Sequence, residues 1–194
     1  VVITATIRAL KYHGGADLKT LTVESSDAVK KGLPNLEKHL ENIKQFGITP
    51  VISINKFVTD TDAEIEVVKS FAKENGVKVA IADVWAKGGK GALDLAQHVI
   101  DIIESRSSNF KPLYNWEMSV QDKIQTIASK IYGAKNVEYS ALARQNLKTI
   151  ADLGLEKLPI CIAKTQKSLS SNIFQKLKDS FKLFYRYENK NFIL

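Results

Sequence analysis

Three short stretches hold residue types that a plain connection does not need. Asn55-Lys56-Phe57-Val58-Thr59-Asp60 sets a large aromatic ring among polar neighbours, and Val84-Trp85-Ala86-Lys87-Gly88-Gly89-Lys90-Gly91 joins a tryptophan to a lysine- and glycine-rich turn. The third, residues 8–15, begins at Arg8 and closes with Tyr12-His13-Gly14-Gly15. Each follows an apolar run of strand length, and in an open parallel sheet ligands bind beyond the carboxyl ends of the strands. Phe57 and Trp85, leaving neighbouring strands at one edge, could face each other across a planar ring; alternatively, each packs under its own loop. Lys87, Gly88 and Gly89 lie just before a helical pattern, where glycines let backbone N–H groups approach an anion.

Other chemistries find little support. The glycine turn is not a Walker A loop, since Lys90 is followed by Gly91 and no upstream glycine has the required spacing. Asn55-Lys56-Phe57-Val58 half-matches the base-reading Asn-Lys-x-Asp of GTPases but ends in valine, which leaves a GTPase-like nucleotide binder as a weak alternative. His13, His39 and His98 fall in separate segments without metal-ligand spacing, so no protein-bound metal is expected. No Gly-x-Ser-x-Gly elbow is present, so hydrolysis has no support either. The formal charge is +7, of which residues 173–194 supply +3 (Lys176, Lys178, Lys182, Arg186 and Lys190 against Asp179 and Glu188). The remainder shows no basic stripe with interleaved aromatics, so nucleic acid is not the expected partner and an anionic metabolite suits the charge. No apolar run approaches the ~20 residues of a membrane span, and for the basic aromatic tail a packed or disordered terminus is expected ahead of a helix that touches a membrane surface. The one cysteine, Cys161, sits in an apolar run and reads as a buried thiol in a reducing compartment, the cytoplasm first and the mitochondrion second.

These loops need a scaffold. The run Val1-Val2-Ile3-Thr4-Ala5-Thr6-Ile7 is β-branched and unalternating, as in a strand buried on both faces of a parallel sheet. Pro50-Val51-Ile52-Ser53-Ile54 repeats that character and residues 77–82 make a third strand, with helices between. The first helix shows Leu36, Leu40 and Ile43 on one face and stops at Gly47; the second opens on the capping box Thr61-Asp62-Ala63-Glu64 and presents Ile65, Val68, Phe71 and Ala72. A third carries Leu93, Ala96, Ile100 and Ile103. Strand–helix alternation on short connections predicts an α/β fold, an open and mostly parallel sheet with flanking helices. Beyond Pro112 the pattern predicts a helical hairpin, with caps at Ser119 and Ser140 and stops at Gly133 and Gly154, then a strand over 159–163. The expected divisions are 1–110, 111–172 and a basic aromatic tail, 173–194. The opening at Val1, without a methionine, reads as part of a longer protein.

Taken together the loops resemble one family. Thr4-Ala5-Thr6-Ile7-Arg8-Ala9-Leu10-Lys11-Tyr12-His13-Gly14-Gly15 is similar to a signature of the formate–tetrahydrofolate ligases. The likeness continues through Gly32-Leu33-Pro34-Asn35-Leu36-Glu37-Lys38-His39, the Asn55 and Val84 stretches, Lys130-Ile131-Tyr132-Gly133-Ala134 and Leu158-Pro159-Ile160-Cys161-Ile162-Ala163-Lys164-Thr165-Gln166, covering about 1–172. The resemblance implies a P-loop NTPase-like fold, here incomplete. It also implies ATP-dependent joining of formate to tetrahydrofolate through formyl phosphate, with Mg2+ accompanying ATP and a homo-oligomeric parent. It makes Phe57 and Trp85 the pair that sandwiches the pterin, puts Arg8, Lys87, Gly88 and Gly89 in ligand loops, and sets Lys164, Thr165 and Ser168 near the nucleotide. The family's Walker A loop lies upstream of the residues present, and 173–194 do not follow the family's pattern. The expectation is therefore a folate-binding portion with negligible ligase activity alone; a catalytically dead remnant acting as a binding or assembly module is the alternative.

Overall fold

The computed structural model describes residues 1–162 and 191–193, and it sets strand–helix alternation where the apolar runs fall. Strands β1 (Val2–Ala5), β2 (Val51–Asn55) and β3 (Lys78–Ala82) form a parallel sheet in the order β1-β2-β3, with Thr4 opposite Ser53 and Ser53 opposite Ala80. The central strand matches its sequence, since Val51, Ile52, Ser53 and Ile54 are all buried. β1 does not. Val2 and Thr4 are exposed while Ile3 and Ala5 face the core, because this edge strand is covered on one face and its side chains alternate.

The largest departure is residues 8–15, read above as a loop. Residues Ile7–His13 are helix α1, capped by the Thr6 hydroxyl, which accepts the Ala9 N–H at 3.1 Å. Ile7, Leu10 and Lys11, spaced i, i+3, i+4, make its buried face. It packs backbone to backbone on α2 (Ser26–Gln45): a Cβ at Gly14 would lie 1.8 Å from the Ala28 carbonyl oxygen, and one at Gly32 2.0 Å from that of Leu10. Close approach therefore explains both glycines. Helix α3 (Asp62–Glu74) has the predicted capping box and buries Ile65, Val68, Phe71 and Ala72. These side chains join Leu10, Leu36, Leu40, Ile52 and Ile54 in one core, each fully buried aliphatic contributing about 1.5–3 kcal/mol.

After β3 come the short helix α4 (Val84–Lys87), a 3-10 turn (Gly88–Ala92) and α5 (Leu93–Glu104), where a simple loop was expected before the last helix. On α5 the apolar residues Leu93, Ala96, Ile100 and Ile103 turn out to be exposed; Leu95, His98, Val99 and Ile102 form the half-buried side. The helix is apolar on both faces, so periodicity alone does not say which one the sheet covers.

Residues Val1–Lys111 form one compact unit and Pro112–Leu194 a second. In the second, α6 (Val120–Tyr132) is capped by Ser119 and ended by Gly133 in the left-handed conformation. Helix α7 (Ala141–Asp152) is capped by Ser140. Between them lies a short strand, β4 (Asn136–Glu138), paired in parallel with β5 (Asn191–Ile193), so the two helices are not joined by a bare turn. The Lys123 ammonium is buried and donates to the Glu156 and Leu158 carbonyls. The strand expected over 159–163 is not formed at 159–162: the Ile160 N–H donates to the Tyr114 hydroxyl at 2.8 Å instead of to a ladder. Cys161, without that strand to cover it, is exposed rather than buried. Ala163 lies outside the described residues.

Candidate functional site

The parallel register fixes one rim. Asn55 and Ala82 close the β2–β3 ladder side by side, and the Lys56 N–H extends it by donating to the Ala82 carbonyl at 3.1 Å. Neighbouring strands lie about 4.8 Å apart, so the chain leaves both strands at one edge of the sheet, with Phe57 two residues past β2 and Trp85 three past β3. Phe57 is 36% exposed and Trp85 86% exposed, so Trp85 is not packed under its loop.

The Phe57 turn is tied down at several points. The Phe57 N–H donates to Asp60 Oδ2 at 2.8 Å, and the Asp60 N–H returns to the Phe57 carbonyl at 3.0 Å. Arg8, in the first turn of α1, lays its guanidinium 4.6 Å from the Phe57 ring centroid and donates from Nη2 to Thr59 Oγ1 at 3.1 Å. Burial pushes the Asp60 carboxyl above the usual carboxylate range, the Phe57 N–H opposes this, and nearby Glu64 adds to it. Among the described residues, buried Asp60 Oδ1 and Arg8 Nε have no hydrogen-bond partner.

The Trp85 turn is closed mainly on itself. The Asp83 N–H donates to the Gly91 carbonyl at 3.0 Å, the Lys87 N–H to the Asp83 carbonyl at 3.0 Å, and Lys87 Nζ pairs with the Asp83 carboxylate at 3.1 Å. Gly88 has φ 56° and ψ −147°, a region that L side chains avoid. A Cβ at Gly91 would stand 2.2 Å from the Asp83 carbonyl oxygen, whereas one at Gly89 would meet nothing within 4 Å. Gly88 and Gly91 thus let the turn fold back, and Lys87, Gly88 and Gly89 remain exposed at the rim.

Compared with known protein families, residues 1–184 match the formate–tetrahydrofolate ligase family model. This chain belongs to the formate–tetrahydrofolate ligase family. The match runs past residue 172, so the likeness extends into the tail expected to depart from the family's pattern. A formate–tetrahydrofolate ligase of Staphylococcus aureus (strain JH9) is 50% identical over 172 residues, covering 89% of this chain and 31% of its own length. The chain therefore spans less than a third of that ligase.

Beneath the rim, this formate–tetrahydrofolate ligase family chain hides an ion pair that the sequence reading missed. Lys11 and Glu64 are 1% and 0% exposed, and Lys11 Nζ meets Glu64 Oε1 at 2.7 Å. Lys11 also donates to the Val23 carbonyl; Glu64 Oε1 also accepts the Ser25 N–H, while its Oε2 accepts the Thr61 N–H. One carboxylate thus joins α1, the entry to α2 and the cap of α3 under the Phe57 turn. Burial alone would raise the Glu64 carboxyl, but hydrogen bonds from Lys11, Ser25 and Thr61 outweigh it and hold the group below its ordinary value. A signal was present in the spacing: Ile7, Leu10 and Lys11 fall at i, i+3 and i+4, and a lysine on such an apolar face needs acceptors for its ammonium. Asp60, three residues after Phe57, was an equally visible side-chain turn former.

Of the predicted residues, Arg8 and Phe57 are brought into contact, and Trp85, Lys87, Gly88 and Gly89 share the adjoining turn. Lys164, Thr165 and Ser168 lie outside the described residues. Among the described residues no three His, Cys, Asp or Glu side chains are grouped to hold a metal, and no helix is long and apolar enough to cross a membrane.

Proposed function

We propose that this chain is the folate-binding part of an ATP-dependent formate–tetrahydrofolate ligase, with the pterin stacked between Phe57 and Trp85. The observation that carries this reading is the pair of exposed aromatics leaving adjacent parallel strands at one rim, in a chain of that family. An offset ring contact adds about 0.5–1.5 kcal/mol beyond area burial, and Trp85, 86% exposed without ligand, has most to gain from a stacking partner. Lys87 and the Gly88–Gly89 backbone then border the ligand as cation and close-approach surface. The wider sheet would be the P-loop NTPase kind, and Lys164, Thr165 and Ser168 would lie toward ATP.

Phosphoryl transfer requires groups that stabilise charge on the moving phosphoryl. In this reading those groups, and the site for formate, belong to the portion of the relatives that this chain does not span. Magnesium would travel with ATP as part of the substrate. The parent would be a homo-oligomer working on small molecules in the cytoplasm. Calorimetric titration of the 194-residue chain with tetrahydrofolate tests the proposal: saturable binding is expected, weakened about tenfold, or 1.4 kcal/mol, by Phe57→Ala. Formate-dependent ADP release should stay at background. Absent binding, or binding indifferent to Phe57, would refute the folate reading, and measurable turnover would refute the division of labour.

A further inference from the structure

We propose that Arg8 is a positioning residue for Phe57: its guanidinium backs one face of the ring and leaves the opposite face as the stacking wall. The inference rests on the folate reading above and goes beyond it, since Arg8 then acts through Phe57 rather than on the ligand. A phenyl ring has two faces, and a guanidinium 4.6 Å from its centroid occupies one of them. The plane of that guanidinium is itself fixed, because Nη2 donates to Thr59 Oγ1 at 3.1 Å within the same turn. The backbone of Phe57 is held independently by the two hydrogen bonds with Asp60. Ring and backbone are therefore both set before any ligand arrives, which removes ordering entropy from the binding step.

Two features suggest that Arg8 is placed for this contact and not for local stability. It stands in the first turn of α1, where the helix dipole disfavours a cation. Among the described residues its buried Nε has no hydrogen-bond partner, so no bond at Nε accounts for where the guanidinium lies. Stacking on an aromatic face is a property of the planar guanidinium that an ammonium shares only in part.

The test uses the 194-residue chain and two probes, tetrahydrofolate and a tetrahydropterin lacking the glutamyl carboxylates. Fluorine NMR of the chain carrying 4-fluorophenylalanine at position 57 reads the contact without ligand. The label should shift in Arg8→Met and return part-way in Arg8→Lys, which also serves if the methionine variant fails to fold. Arg8→Met should weaken both probes about fivefold, in keeping with one cation–π contact, and should have no further effect in a Phe57→Leu background. An unmoved fluorine signal would overturn the proposal. So would a loss of equal size in both backgrounds, which makes Arg8 act independently of Phe57, or one confined to tetrahydrofolate, which makes Arg8 a direct ligand for carboxylate. A fluorine shift in a chain that binds neither probe would keep the Arg8–Phe57 contact and overturn the folate reading instead.

Discussion

The turns after β2 and β3 begin at the same rim and end in very different states. The first is anchored from below and behind: Asp60 holds the Phe57 backbone, Arg8 backs its ring, and the Lys11–Glu64 pair ties three helix ends beneath it. The second, from Asp83 to Gly91, closes through its own backbone and the Lys87–Asp83 pair, with Trp85 in solvent. A flat ligand between them would meet one wall already built and one that gains its packing from the ligand. The difference separates the two aromatics experimentally, for Phe57 is bound up with stability and Trp85 is not.

The strongest way to break this contrast is Glu64→Ala, which leaves the Lys11 ammonium buried and unpaired. It should cost about 3–5 kcal/mol in denaturant unfolding, and Lys11→Met with Glu64→Leu should recover much of that loss. A cost under about 1 kcal/mol would mean the first turn has no special foundation. Next in size is a pair in the second turn. Gly91→Ala drives a Cβ toward the Asp83 carbonyl and should cost about 1–3 kcal/mol, while Gly89→Ala, with open space around it, should stay within about 0.5 kcal/mol. Equal effects would show that the turn does not close as described.

Acid titration sharpens the account of the first turn. Glu64 has a lowered carboxyl, so its stabilisation is present above the ordinary glutamate range and is lost as pH falls through the lowered value. Asp60 is raised, so it acts in the opposite sense: its contribution becomes more favourable as pH falls through the raised value toward the ordinary one. Unfolding free energies of the natural chain and Asp60→Asn, compared from pH 7 down to about 4, should therefore move in favour of the natural chain. A pH-independent difference would contradict the buried setting of Asp60. The smallest effect is Trp85→Ala, expected to change stability by no more than about 0.5 kcal/mol.

Much of the scaffold was legible because local signals and global packing agree. The Thr61–Glu64 box, the Ser119 and Ser140 caps and the Gly133 stop satisfy helix ends with side chains or conformations few other residues supply. Residues 8–15 were misread because Gly14-Gly15 signals a break, while the helix before it depends on α2 for its packing. The exposed face of α5 and the non-strand backbone at 159–162 were hidden for a related reason: an apolar run states that burial is favourable, not what covers it. At the site, the aromatics and the glycine turn could be picked out by type and position. The Arg8–Phe57 contact and the Lys11–Glu64 pair join residues 49 and 53 positions apart, through a crossover no local pattern reports.

The central claim is that a pterin enters between the two turns, and tryptophan emission reads it most directly. Trp85 lies on the proposed wall, and Trp116, in the second unit, supplies a reference signal. Adding tetrahydrofolate should quench the emission saturably, and Trp85→Phe should abolish most of the quench while leaving the Trp116 contribution in place. A quench that survives Trp85→Phe undiminished, or no quench in the natural chain, would contradict the account.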